Sequence, residues 1–204
     1  MNATPSQSLA LGLPDGVHDS QQAFRAVLDA LARPGQVRLI GAALPGVALG
    51  GAMARLLLSL CDDETSVWWQ SADVHLQHWL RFHTGAPVAE QQNTASFAVI
   101  ADIDQGFELS TFATGTAAAP EFSTTLFVEV PSFQGGPVLH WRGPGIADVQ
   151  QVGLPGLSDA FWAQWQLNHQ AFPQGVDIVF TCGDSALGLP RTSRVSSQGS
   201  LPCM

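Results

Sequence analysis

The stretch TSVWWQSADVHLQHWLRFHTGAP, residues 65–87, sets a predicted strand directly before a predicted helix. TSVWWQ is short, aromatic and β-branched, as strands are. In the segment that follows, Ser71 or Asp73 stands where a helix cap belongs, and Gly85 and Pro87 stand where a helix ends. Arg81 and His83 fall in the last turn, where cations meet the helix dipole favourably. The stretch therefore predicts a β-α unit that ends on two cationic side chains.

The chain on either side repeats this alternation. Predicted helices occupy residues 19–35, 44–63 and 157–172, and predicted strands 36–40, 96–102, 124–130, 137–143, 175–183 and 186–190. The segments 124–130 and 137–143 are joined by Gly-Gly, which predicts a hairpin. Residues 107–121 are predicted as a strand, or a loop with a Thr/Gly-rich turn. The pattern favours an α/β fold with a mixed β-sheet flanked by helices.

Domain organisation follows from length and local composition. With 204 residues, the chain suits one domain. We predict a flexible N-terminal arm over 1–18, a single α/β domain over 19–195 and a polar C-terminal tail over 196–204. The first fourteen residues lack a basic segment followed by an apolar core, and no apolar run reaches transmembrane length, so we expect a cytoplasmic protein.

Charge and composition exclude several function classes. The formal net charge is −9, all eight basic residues are arginines and there is no lysine. A nucleic-acid or anionic-membrane partner is not expected, since no basic surface is visible. Without lysine the chain holds neither a Walker A loop nor the Schiff base of a pyridoxal phosphate enzyme. The three cysteines, Cys61, Cys182 and Cys203, form no C-x-x-C pair.

Four local patterns raise the question of chemistry. His75, His78 and His83 could supply three imidazoles to zinc, but no acidic residue is interleaved and a solvated helix face explains them better. GDSAL, 183–187, approaches a nucleophile elbow around Ser185 but has Leu187 in place of glycine, which favours a hairpin turn. TGTAAAPE, 114–121, is an anion nest or, more simply, a turn. Arginines stand beside turns at four positions, Arg81, Arg142, Arg191 and Arg194. They suit oxyanions, although pairing with carboxylates is the simpler interpretation.

Taken in order, longer motifs resemble one family. They are FRAVLDALARPG (24–35), LLSLCDDETSVWW (57–69), LRFHTGAP (80–87), SFAV (96–99), LSTFATGTAAAPEFSTTL (109–126), GPGI (143–146), FPQGVDIVFTCG (172–183) and LPRT (189–192). From about Leu13 to Val195 the chain is similar to the PhnH family, a subunit of the bacterial carbon–phosphorus lyase system of phosphonate degradation.

The resemblance implies a fold like the large domain of pyridoxal-phosphate-dependent transferases, without that cofactor or any other. It implies assembly with the G, I and J proteins, with L as a further candidate partner, and a homodimer in isolation. In the family, ribose 1-phosphonate 5-triphosphate is formed from ATP and an alkylphosphonate. We expect a subunit that is non-catalytic by itself, with no metal site. The alternatives are a stand-alone protein that binds a small anionic ligand, a phosphonate or a nucleotide, and a small hydrolase.

The family motifs also give candidate ligand or interface residues. They fall on one helix end, one Thr/Gly turn and one Pro-Arg-Thr turn. The candidates are Arg81, His83, Thr84, Thr114, Gly115, Thr116, Glu121, Arg191 and Thr192. No catalytic role is attached to any of them. The further hypothesis is that Arg81 and His83 face a dimer or subunit interface.

Overall fold

The computed structural model describes residues 9–197, which form four helices and nine strands. The helices are α1 (His18–Ala32), α2 (Gly51–Leu60), α3 (Val74–Thr84) and α4 (Asp159–Gln170). The strands are β1 (Arg38–Leu39), β2 (Val67–Trp69), β3 (Phe97–Ile100), β4 (Thr125–Glu129), β5 (Val138–Arg142), β6 (Gln150–Gly153), β7 (Asp177–Cys182), β8 (Ser185–Leu189) and β9 (Arg194–Ser197). Short 3₁₀ turns lie at Gln92–Thr94, Ile103–Gln105, Leu109–Thr111 and Pro120–Phe122.

Six strands form one mixed sheet in the order β1-β8-β7-β4-β3-β2. Strands β2, β3, β4 and β7 run parallel, whereas β8 is antiparallel to β7 and β1 is antiparallel to β8. The predicted α/β class with a mixed sheet is confirmed. Parallel strands need cover on both faces, and the near-continuous burial of β4 and β7 reflects that cover.

The two faces of this sheet belong to two apolar cores. Successive strand residues point to opposite faces, so Phe127 and Val179 pack with α1, α2 and α3, whereas Leu126, Ile178 and Phe180 pack on the other side. On that other side lie α4 and a three-stranded antiparallel sheet in the order β6-β5-β9. The helices therefore flank the sheet as predicted, and the small sheet is an additional layer.

The predicted hairpin between 124–130 and 137–143 is wrong. Strand β4 pairs with β3 and β7 at the centre of the main sheet, whereas β5 pairs with β6 and β9. β4 is apolar on both faces, which suits a doubly covered position. β5 alternates between buried and exposed residues, which suits a sheet with one face in water. The Gly135-Gly136 connection, with φ values of 87° and 72°, thus joins two different sheets.

The interpretation of residues 183–187 as a hairpin turn is confirmed. Cys182 faces Ser185 across β7 and β8, which leaves a two-residue turn at Gly183 and Asp184. Gly183 has φ 59°, as the first position of such a turn favours. Strands β6 and β9 were not predicted as strands, and residues 107–121 form 3₁₀ turns and loops.

The ends of the described chain bear on the predicted arm and tail. Leu9, Ala10 and Leu13 pack against the helical core, and Trp79 Nε1 donates to the Leu11 carbonyl at 3.4 Å. Residues 1–8 of the predicted arm and 198–204 of the predicted tail, including Cys203, lie outside the described residues. The division into arm, domain and tail stays a prediction. No helix within residues 9–197 is long and apolar enough to cross a membrane.

Candidate functional site

Helix α3 begins and ends where its sequence indicates. The Asp73 side chain accepts hydrogen bonds from the backbone N–H groups of His75 and Leu76, at 2.9 and 3.2 Å. Gly85 ends the helix with φ 82°. Thr84 Oγ1 donates to the Leu80 carbonyl at 2.8 Å and accepts from the Ala86 N–H at 3.1 Å. The Thr84 hydroxyl is therefore used within the helix end.

Arg81 and His83 lie on the exposed side of this helix end but differ in their contacts. His83 Nε2 lies 3.0 Å from the Ala10 carbonyl oxygen, and its ring packs edge-on against Trp79 and Phe82. This contact holds the N-terminal segment on α3. Arg81 is exposed, and although its backbone carbonyl accepts from the Gly85 N–H, its guanidinium makes no hydrogen bond or ion pair with the residues that the structure describes. Of the two, Arg81 is the side chain available to a partner.

The Thr114-Gly115-Thr116 segment is a tight loop held by its own backbone. The Thr116 N–H donates to the Ala119 carbonyl at 3.1 Å, and the Thr116 carbonyl accepts from the Ala119 N–H at 3.2 Å. Gly115 has φ 69°, and a Cβ there would lie 2.8 Å from the Pro120 carbonyl oxygen. Glycine is required both by this conformation and by the close approach. The Thr116 N–H, which an anion nest would use, already has an acceptor.

Arg191 is the hub that holds this loop to the sheet. Its Nε lies 3.2 Å from both carboxylate oxygens of Asp177, at the start of β7, and its backbone N–H donates to the same carboxylate at 2.7 Å. Nη1 donates to the carbonyls of Pro120 and Pro173 at 3.1 and 3.3 Å, and Nη2 donates to Ser123 and Asp177. All five guanidinium N–H donors thus have acceptors within the protein.

Glu121 and Thr192 complete the candidates around this hub. Glu121 is exposed on the Pro120–Phe122 turn, directly after the carbonyl that accepts from Arg191. Thr192 belongs to the turn closed by the Ser193 N–H donating to Pro190 at 2.8 Å. The structure thus gathers the Thr/Gly turn, Glu121 and Arg191 around β7. Arg81, in the last turn of α3, shares no hydrogen bond or ion pair with this group among the described residues.

Two further arginines, noticed in the sequence beside turns, are brought face to face. Arg142 ends β5 and Arg194 begins β9, and these two residues are directly opposite each other in the strand register. His140 is two residues from Arg142, so it lies on the same face of the small sheet. The alternation of LHWR, residues 139–142, was the available signal. The pairing of the two arginines could not be predicted, because β9 spans the predicted boundary between domain and tail at residue 195 and carries only a weak strand signal.

Ser185 and the histidines of α3, the candidates for a hydrolase site, do not lie together. Ser185 Oγ donates to the Asp184 carboxylate at 2.7 Å, on the hairpin turn, and no histidine contacts it among residues 9–197. His75 and His78 are exposed on α3. Within the described part of the chain, no group of three or more His, Cys, Asp or Glu side chains could hold a metal ion.

Burial raises the pKa of three titratable groups, one carboxyl and two thiols. Burial raises the pKa of the Glu129 carboxyl, against the hydrogen bonds from Thr181 and Gly183, which lower it. Burial also raises the pKa of Cys182, with Glu129 and Asp184 adding to the effect. Burial, with a smaller effect of Asp62, raises the pKa of Cys61 to about 12. Such thiols remain protonated at neutral pH and are poor nucleophiles.

An open cleft of about 610 Å³ lies at the β2 edge of the main sheet. Trp68, residues 90–93 and residues 110–112 line it, and none of the predicted site residues is among them. Its polar groups are amides, hydroxyls and the Glu90 carboxylate. With one carboxylate and no arginine along its lining, this cleft does not suit a phosphonate or phosphate group.

The fold and contacts define an α/β protein in which several motif residues hold loops together and others lie at an exposed helix end. Among the described residues, no nucleophile, base and supporting group come together as a catalytic site. Residues 11–196 match the family described as bacterial phosphonate metabolism protein (PhnH), and the chain belongs to this family. The family resemblance of the sequence motifs is thereby confirmed.

Two relatives extend this result. The chain is 38% identical over 196 residues to "Alpha-D-ribose 1-methylphosphonate 5-triphosphate synthase subunit PhnH" of Rhizobium meliloti (strain 1021), with 95% of this chain and 98% of the relative covered. It is 28% identical over 179 residues to "Putative C-P lyase subunit protein HtxG" of Stutzerimonas stutzeri, with 88% and 87% covered. Both relatives are named as subunits.

Proposed function

We propose that this chain is a subunit of the carbon–phosphorus lyase system. It supports formation of a ribose 1-phosphonate 5-triphosphate from ATP and an alkylphosphonate. The observation that carries this proposal is the 38% identity to the Rhizobium meliloti synthase subunit, which spans nearly all of both chains. The family match over residues 11–196 supports the same conclusion.

Within that system we assign the chain an accessory role. Several arginine and threonine side chains of the family motifs form hydrogen bonds within the protein. Arg191 bonds to loops and to Asp177, and Thr84 bonds within its own helix end. Neither group is left to activate a substrate. The transferase reaction would then belong to the assembly, which operates in the cytoplasm.

The exposed face of α3 is the proposed contact with other subunits. Phe82 and Val74 are 69% and 65% exposed, and Arg81 lies beside Phe82. Leu11, 79% exposed, is held nearby because Trp79 bonds to its carbonyl. Apolar side chains around an arginine are typical of interface centres. The partners we propose are the G, I and J proteins and also L, with a homodimer as the state of the isolated chain.

Complementation tests the function. A Rhizobium meliloti strain lacking its 38% identical subunit should regain growth on methylphosphonate as sole phosphorus source when it expresses this chain. An empty vector and growth on inorganic phosphate are the controls. Absence of rescue, with the chain present at the level of the native subunit, would count against the proposal.

Native mass spectrometry after co-expression with the G, I and J proteins tests the contact surface. The wild-type chain should appear in the assembly, and Arg81→Ala combined with Phe82→Ser should release it. Arg25→Ala, at an exposed arginine of α1, is the matched control and should leave the assembly intact. If the double variant assembles like the wild type, the α3 face is not the contact.

We also propose that the fold is that of the large domain of pyridoxal-phosphate-dependent transferases, operating without the cofactor. The support is the mixed sheet flanked by helices together with the absence of lysine. Incubation with pyridoxal phosphate followed by desalting should leave no bound chromophore. A retained chromophore would contradict this proposal.

A further inference from the structure

The outer face of the three-stranded sheet concentrates positive charge on an acidic protein. Arg142 of β5 is directly opposite Arg194 of β9, and His140 is directly opposite Ser196. These four side chains share one face because strand residues alternate. The opposite face is apolar, with Leu139, Trp141 and Val195 buried in the core.

The strand register that places the two arginines opposite each other is fixed by the buried face of the small sheet. A one-residue slip of β9 would turn Val195 into water and Arg194 into the core. Trp165 Nε1 donates to the Ser193 carbonyl at 3.0 Å, immediately before β9. A Cβ at Gly143 would lie 2.9 Å from the Thr192 carbonyl oxygen, so only glycine allows β5 to end so close to this turn. The juxtaposition is built into the backbone.

Like charges directly opposite each other in a sheet are destabilising. The chain has 17 carboxylates for its eight arginines, so counterions are plentiful. Among residues 9–197, Asp148 is the one carboxylate paired with this face: it lies 3.0 Å from Arg142 Nη1, and its own side chain is 86% exposed. Arg194 forms no ion pair with a residue between 9 and 197. Most of the ten guanidinium N–H donors therefore remain without an acceptor from the described protein.

We propose that this face, defined by Arg142, Arg194, His140 and Ser196, binds a phosphate-class oxyanion. Two guanidinium groups on opposed backbone positions, about 5 Å apart at Cβ, can each direct a fork of donors at one tetrahedral group. A dianionic phosphate, phosphonate or terminal phosphate ester balances both positive charges, whereas a carboxylate balances one. The His140 imidazole lies beside the arginines, next to the Ser196 hydroxyl, which donates to the His140 carbonyl at 3.4 Å in the ligand-free protein.

This site is independent of the proposed subunit contact, because it lies on the small sheet and not on α3. It needs no partner protein, so the isolated full-length chain can be tested. A failure of complementation or assembly leaves the prediction for this face unchanged, and the reverse also holds.

Isothermal titration calorimetry at constant ionic strength tests the proposal. Inorganic phosphate, methylphosphonate and tripolyphosphate are the probes, and acetate is the monoanionic comparison. Arg142→Gln and Arg194→Gln should each weaken binding by about tenfold or more, since each removes a charged fork. The double variant should not bind. Arg25→Gln, which changes the net charge equally on α1, should bind like the wild type.

The probe that binds distinguishes the sources of the ligand. Comparable affinity for phosphate and methylphosphonate identifies a site for a single tetrahedral group, and preference for tripolyphosphate identifies a phosphate-ester chain. Binding that is equal in the wild type and the double variant, binding of acetate as tight as phosphate, or no binding of any probe would overturn the proposal. The exposed substitutions should leave the circular dichroism spectrum unchanged.

Discussion

Arg191 and Arg194 are three residues apart in the chain and occupy opposite kinds of environment. The Arg191 side chain is 12% exposed, and all of its guanidinium donors have acceptors. Arg194 is exposed on the outer face of the small sheet, directly opposite Arg142. Both were flagged in the sequence because arginine beside a turn suits an oxyanion.

The difference lies in which groups reach each side chain first. Around Arg191 the loops at Pro120 and Pro173 direct their carbonyls toward the guanidinium, and Asp177 supplies a counterion at the start of β7. A ligand would have to displace groups already in place. Around Arg194 the neighbouring backbone groups are paired within the small sheet, so none of them bonds to the side chain, which is exposed to water. Arg191 thus stabilises the fold, whereas Arg194 can bind a ligand.

The largest effect is expected at Arg191. Arg191→Gln leaves Asp177 without its cation and three loop acceptors without donors. Breaking such an internal ion pair lowers the free energy of unfolding by about 3–5 kcal/mol. Urea denaturation followed by fluorescence of the tryptophans measures it. Arg33→Gln is the matched control, because Arg33 is 58% exposed in an i,i+4 pair and should change stability by less than about 0.5 kcal/mol. Equal losses of unfolding free energy in the two variants would contradict the role of Arg191 in holding the loops to the sheet.

The loop held by Arg191 gives the next effect. Gly115→Ala places a Cβ 2.8 Å from the Pro120 carbonyl, the group that accepts from Arg191. The backbone strain and the clash together should cost about 1–3 kcal/mol. Gly106→Ala separates the two causes, because Gly106 has the same φ of 69° but nothing within 4 Å of the added Cβ. If thermal unfolding shows equal losses at Gly115 and Gly106, only the conformation matters and the close approach does not.

Sequence reasoning reached the helices and the central strands but not the pairing of the outer strands. Asp73 and Gly85 bound α3 by local capping, which a sequence displays directly. The position of β5 depended on β6 and β9, which carry weak strand signals and pair with β5 over separations of 9 to 58 residues. Local patterns cannot specify that choice. The same limit hid the Arg142–Arg194 pair, although both residues had been noticed.

Glu129 is a second partly buried carboxylate, and its hydrogen-bond partners differ from those of Asp177. Asp177 has Arg191, whereas Glu129 has hydrogen bonds from Thr181 and Gly183 at 2.5 and 3.4 Å. Burial raises its pKa above 4.5, so folding favours the protonated form. That contribution to stability is complete below the unfolded pKa and is lost as pH rises through the folded pKa.

Glu129→Gln should remove this dependence. The stability of the variant relative to the wild type should rise as pH increases from about 4.5, the unfolded value, through the raised folded pKa. Urea denaturation across that window measures the difference. Glu108→Gln, at an exposed carboxylate, is the control. A difference between Glu129→Gln and the wild type that stays constant with pH would contradict the direction of the pKa shift.

The smallest expected effect is a gain in stability, and it concerns Arg194, the exposed arginine that is compared with Arg191. Arg194→Gln takes the net charge of the chain from −9 to −10, which by general charge balance should destabilise an acidic protein. It also removes a like-charge pair across β5 and β9, which should stabilise the ligand-free protein by roughly 0.2–1 kcal/mol.

We expect the local pair to outweigh the change in net charge, so Arg194→Gln should raise the melting temperature at low salt, in buffer free of phosphate. The gain should shrink as salt increases, since the Debye length falls from about 30 Å at 0.01 M to about 3 Å at 1 M. Arg25→Gln changes the net charge equally without removing such a pair, so it should show no gain. A loss of stability in both variants would contradict this prediction, because it would mean that Asp148 and the solvent already neutralise the Arg142–Arg194 repulsion and that the change in net charge decides the stability.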